Sequence, residues 1–167
     1  EETENSPWEQ VEALLVTGDA EQLSGYLEDL PAGEVARSLS RLPSEDVQQV
    51  LTLLDGNDAA WIVEQLPESF SADILAEMKV SDAAQVLEHI PSNERADLLS
   101  AMERDEAAAI LQEMKPATAA DARVLSRYAP EVAGGLMITE YLRHYQDATV
   151  EEVVSDFREH ADQYSDY

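Results

Sequence analysis

Leu42-Pro43-Ser44-Glu45-Asp46-Val47-Gln48-Gln49-Val50-Leu51-Thr52-Leu53 is one row of the pattern that decides the fold. Twelve residues on, the chain starts again at Leu54-Asp55-Gly56-Asn57, and then at Leu66-Pro67-Glu68-Ser69. Working outward, the same restart appears at Leu30-Pro31-Ala32-Gly33, Met78-Lys79-Val80-Ser81, Ile90-Pro91-Ser92-Asn93, Met102-Glu103-Arg104-Asp105 and Met114-Lys115-Pro116-Ala117. That makes eight rows between Leu30 and Leu125. The first position is always Leu, Ile or Met, the second is Pro in four rows, and the seventh is Ala in seven. Repetition at a fixed period marks a stacked architecture.

Each row has a physical reading. Its opening apolar residue ends one helix. Pro, Gly, Ser, Asp and Asn at the next positions turn the chain and cap the next helix. Glu34, Asp46, Asp58, Asp82, Glu94 and Glu106 fall in the first helical turn, where the helix dipole favours negative charge. Positions six, nine, ten and the next row's first are spaced i, i+3, i+4, i+7 and share one helix face, as Val47, Val50, Leu51 and Leu54 show. A row is therefore a short helix and a turn, and two rows make a hairpin of roughly 24 residues. No row buries its stripe alone; stacking does that.

Hydrophobic residues make up 44% of the 167, enough for a core. The absence of cysteine excludes disulfides and thiolate metal sites. No apolar run reaches the roughly 18 residues of a membrane helix. There is no signal-peptide pattern, and Glu1 in first place reads as a trimmed start. These features suggest a cytosolic piece. Against 36 acids stand only 10 Lys plus Arg, a net charge of −26. Nucleic acid and anionic lipid would be repelled. Basic proteins and divalent cations remain as partners. The plainer reading, a solvated acidic face as in halophilic or marine proteins, stands beside them.

Outside the rows, Glu1 to Asn5 is expected to fray. Ser6-Pro7-Trp8-Glu9 reads as N-cap, first-turn proline and reciprocal acid, with Trp8, Val11, Leu14 and Leu15 on one face. Thr17-Gly18-Asp19 stops that helix. Ala20 to Leu30 forms a second, and the two cap the stack. Trp61 and Phe70 plug gaps between hairpins. His89, beside Glu88, is a surface or dipole-paired residue. Thr118 caps a last helix through Tyr128, ended by Pro130. Gly134-Gly135 is a flexible, close-packing joint whose glycines allow backbone angles other residues avoid. Met137 to Gln146, with Ile138, Tyr141, Leu142 and Tyr145, reads as a strand or a short helix. Thr149-Val150-Glu151-Glu152 opens a helix with Val150, Val153, Val154 and Phe157 on its apolar side. Too few residues remain to Tyr167 for another complete domain, as in a cut chain.

Tyr128-Ala129-Pro130-Glu131-Val132-Ala133-Gly134-Gly135-Leu136-Met137-Ile138-Thr139-Glu140 resembles the joint of the MgtE family of magnesium transporters. The Leu-Pro-x-Glu rows before it and the Thr149 helix start after it fit the same family in order. Val132 and Ile138 depart from the family pattern, outside the repeat core. The resemblance implies an all-α fold, a right-handed, solenoid-like superhelix of short helical hairpin repeats with a truncated tail from a CBS domain. It implies a helical-repeat N domain over residues 1–128, a joint over 129–141 and the beginning of a CBS domain over 142–167. It further implies a regulatory domain on the cytosolic face of the membrane. That domain would close on its own CBS domains when Mg²⁺ is high and release when it is low, in a full-length protein that spans the membrane and forms a homodimer. Mg²⁺ would bind weakly, at an interface with the missing CBS domain.

Glu94 and Asp97, three apart on one helix, project from one side, and that row is where the family places interface carboxylates. Asp105 and Glu106 open the next helix as a second candidate pair. Glu94, Asp105 and Glu106 also suit a purely dipole-serving role, whereas Asp97 lies too deep in its helix for that. A competing expectation is a helical-repeat docking scaffold, FliG-like or armadillo-like, without ion sensing. Catalysis is not expected, since the chain has no phosphate loop, His cluster or nucleophile elbow.

Overall fold

The computed structural model describes residues 6–141 and 144–159. Every row becomes one helix: α3 (Ala32–Leu39), α4 (Ser44–Leu53), α5 (Gly56–Gln65), α6 (Glu68–Glu77), α7 (Val80–Leu87), α8 (Ser92–Ala101), α9 (Arg104–Glu113) and α10 (Pro116–Leu125). Two helices precede them, α1 (Pro7–Thr17) and α2 (Ala20–Glu28), and α11 (Val150–Glu159) comes after. The described residues contain no strand. Residues 1–5, 142–143 and 160–167, with the expectations for Glu1 to Asn5 and for Leu142, lie outside the described set.

Stacking runs between next-but-one helices. α1, α3, α5, α7 and α9 form one layer, and α4, α6, α8 and α10 the other. The repeat face closes between them. Val35, Val47, Ala59 and Ala83, all at position six, have no exposed surface, and Leu39, Leu51, Leu75 and Leu87 at position ten are buried as well. Trp61 and Phe70 pack, half-buried, against this core. α1 contacts α2, α3 and α4 and covers the first end of the stack. Its start is as expected, with the Ser6 amide donating to Glu9 Oε2 at 2.9 Å, and Arg41 lies over the Trp8 ring, 4.3 Å from its centroid. Gly18 ends α1 at φ 68°, a left-handed cap that glycine adopts without strain.

Pro31, Pro43, Pro67 and Pro91 sit at the N-cap, where the rows place the turn, and offer a backbone carbonyl but no capping side chain. Three expectations need correction. The last repeat helix starts at Pro116 rather than beside a capping Thr118, and it ends at Leu125, before Tyr128 and Pro130; Val124 stays half exposed. The described part of 137–146 is neither strand nor helix, because its backbone groups pair with side chains and turns instead of a ladder. Finally, neither Gly134 nor Gly135 has a positive φ. They are small because space is short. A Cβ on Gly134 would stand 2.5 Å from the Tyr128 ring, and one on Gly135 would overlap the Ala129 carbonyl oxygen.

Candidate metal-binding face

Among the described residues, the two carboxyl groups held above their usual range both lie on α8. Glu94 and Asp97 line one groove of about 230 Å³, with Leu98 beneath them. Glu64 at the end of α5 and Glu68 at the start of α6 line its other side. Four carboxylates thus share one trough between the layers. Next-but-one stacking sets α6 directly against α8. Acids more than two rows apart in the chain therefore face each other, which twelve-residue spacing alone does not reveal.

The electrostatics agree with crowding of like charge. The Glu94 carboxyl is held above its usual range by the protein mass beside it and then by the Asp97 charge. Asp97 is raised by partial burial and then by Glu131, which comes from the turn after Pro130. Asp97 thus stands between two other acids, Glu94 on its own helix and Glu131 from the tail. Asp97, the acid set too deep for the helix dipole, is half-buried as its position requires.

Asp105 and Glu106 lie elsewhere. Both are exposed in the first turn of α9, and the Glu103 amide donates to Glu106 Oε2 at 3.1 Å, so Glu106 closes a capping box. Glu106 also borders a larger groove with Phe70, Glu77 and Met102. The structure does not join this pair to Glu94 and Asp97. Among the described residues no three His, Asp or Glu side chains converge tightly enough to hold an ion by themselves. Hard oxygen donors line this trough.

Sequence reasoning missed the group that organises this end of the molecule. Arg95 occupies position six, where other rows carry Val, Ala or Ser, and it is 4% exposed. Its Nε donates to the Leu87 carbonyl at 2.8 Å and one terminal nitrogen donates to the Ile90 carbonyl at 2.6 Å, so it satisfies the end of α7. Glu140 of the tail stands 3.5 Å from the same guanidinium. The Ser92 hydroxyl donates to Glu140 at 2.7 Å and the Ser92 amide at 3.3 Å. Glu140 thereby caps α8 from 48 residues away, in place of the side chain Pro91 lacks. Burial alone would raise the Glu140 carboxyl. The Ser92 hydroxyl, the backbone amides and the Arg95 charge outweigh it and hold it below its usual range. A similar long-range cap joins Glu88 to α10, through the Lys115 amide at 2.6 Å and its ammonium at 2.8 Å. His89 is exposed at the end of α7, with Nδ1 2.9 Å from the Gln85 carbonyl, in keeping with a surface role.

A two-layer stack of short helices fastened to a tail defines a helical-repeat domain. Over residues 30–131, more than half its length, it matches the family described as the MgtE intracellular N domain, and the chain belongs to that family. Two solved structures share the fold. The crystal structure of the cytosolic domain of the Mg²⁺ channel MgtE in complex with ATP matches 92% of this chain at 29% identity and a TM-score of 0.75. The crystal structure of the soluble part of a magnesium transporter matches 93% at 23% identity and a TM-score of 0.76. This chain spans 63% and 62% of those two chains. No curated protein sequence matches it. Among the described residues no helix is long and apolar enough to cross a membrane.

Proposed function

We propose that this chain is the non-catalytic sensing domain of a magnesium transporter, and that Mg²⁺ controls how tightly it holds the module beginning at α11. The observation that carries this reading is Glu94 and Asp97 together on one groove of α8, with Glu131 of the tail near enough to raise the Asp97 carboxyl. Like charges so placed repel an acidic neighbour until a divalent ion lies between them. Mg²⁺ suits carboxylates that are neither convergent nor dry, because it retains most of its waters. An ion bound only by the closed pair shifts the population toward closure by its own binding free energy. The downstream module supplies the remaining ligands. α11 offers Glu151 and Glu152 in its first turn, and none of its residues is buried. Asp97 is the principal ligand, Glu94 and Glu131 assist, and Asp105 and Glu106 stand apart in the first turn of α9, where Glu106 closes the capping box.

Isothermal titration of the complete cytosolic region with Mg²⁺, paired with limited proteolysis, tests this. Binding heat and slower cleavage as Mg²⁺ rises are expected, with both weakened about tenfold or more in Asp97→Asn. Equal cleavage with and without the ion rejects the proposal.

A further inference from the structure

We propose that residues 126–140 form a strap locked onto the repeat stack by the Glu140–Ser92–Arg95 clasp, so that the Gly134–Gly135 pair packs as part of the stack and does not serve as a hinge. Two adjacent glycines in a joint look like a hinge. Here they are the most tightly packed part of it. Each glycine sits where a methyl group would meet the Tyr128 ring or the Ala129 carbonyl, and Gly135 is buried. The backbone between them is turned back on itself, with the Val132 amide donating to the Ala129 carbonyl at 3.2 Å and the Gly135 amide to the Val132 carbonyl at 2.9 Å.

The far end of the strap is fixed by charge. Arg95 is a buried guanidinium, and such a group is costly without a nearby anion. Glu140 supplies that anion and at the same time completes the first turn of α8. The Thr139 amide donates to Ser92 Oγ at 2.8 Å, so the backbone itself is drawn in. Ser92 has no exposed surface, while the residues just after the N-cap proline in the other rows, Ala32, Ser44 and Glu68, are all exposed. From Ala129 to Leu136 the strap bonds to itself, and at Thr139 and Glu140 it bonds to the stack. The clasp requires no ion sensing, and its test uses no divalent cation.

The chain has no cysteine, so Asn57→Cys and Leu136→Cys give a clean pair of spin labels on α5 and the strap. Pulsed electron–electron distance measurement in the otherwise unsubstituted chain is expected to give one narrow peak. Adding Glu140→Gln should broaden it. Amide exchange should quicken about tenfold at Thr139 and Ser92 in Glu140→Gln, with the amides of α4 to α6 unchanged. A label-pair distribution in the unsubstituted chain as broad as that in Glu140→Gln overturns the proposal, as does exchange at Thr139 that Glu140→Gln leaves unaltered. The unsubstituted label pair decides the matter even if Glu140→Gln folds poorly.

Discussion

α5 and α8 begin at equivalent places in their rows, yet they are finished by different means. Asp55 precedes α5 and its carboxylate accepts from the Asn57 and Asp58 amides at 2.9 and 3.0 Å. Pro91 precedes α8 and contributes no side-chain acceptor, so the carboxylate arrives from Glu140 at the other end of the tail. Local capping leaves α5 independent of the tail. Borrowed capping makes α8 a place where the fold registers the position of the joint. The acids of the candidate site lie on that same helix.

The contrast is sharpest at position six. Val47 and Arg95 hold equivalent places in their rows, both buried. Arg95→Met should destabilise the chain by about 3–4 kcal/mol in urea unfolding, because the Leu87 and Ile90 carbonyls each lose a donor and the Glu140 carboxylate loses its cation. Val47→Ala should cost about 2 kcal/mol, a transfer and cavity term only. A loss at Arg95 no larger than at Val47 would break the comparison.

Gly135→Ala should come next, at about 2 kcal/mol, since its Cβ would strike backbone. Gly134→Ala should cost less, because the half-exposed Tyr128 ring can swing aside. Thermal melts of the two variants rank them; the reverse order would contradict the packing described. Asp55→Ala should cost about 1 kcal/mol, the usual value of a local cap, and should leave amide exchange at Thr139 untouched.

The repeat was legible because its signals are short-range. Position, period and first-turn acids all lie within one row, and Val47, Val50, Leu51 and Leu54 are buried as their spacing predicts. Glu94 and Asp97 were also legible as a pair, since three residues on a helix bring side chains to one side. Glu64, Glu68 and Glu131 were not, because only stacking and the folded tail bring them near. Arg95 did leave a trace: a cation at a position otherwise apolar requires an acidic partner. The sequence offers 36 acids, and nothing in the twelve-residue period selects Glu140 among them.

Acid titration separates the two kinds of carboxylate and carries the smallest effect. Glu94, raised by partial burial and then by Asp97, and Asp97, raised by partial burial and then by Glu131, take up their protons more readily in the folded chain than in the unfolded one. Their contribution to stability grows as pH falls through that raised range. Glu140, facing Arg95 and Ser92, is lowered, so its contribution is present above the ordinary carboxylate pKa and is lost as pH falls through its own. At neutral pH, Asp97→Asn should change stability by no more than about 0.5 kcal/mol, on the stabilising side. A clear destabilisation in a thermal melt would mean that Asp97 is structural.

The most direct measurement is small-angle X-ray scattering of the complete cytosolic region during a Mg²⁺ titration at constant ionic strength. The radius of gyration is expected to fall as Mg²⁺ rises, and to stay at its ion-free value in a Glu94→Gln, Asp97→Asn double variant. A radius unchanged by Mg²⁺, or an equal contraction in the double variant, would contradict an ion-bridged closure at this face.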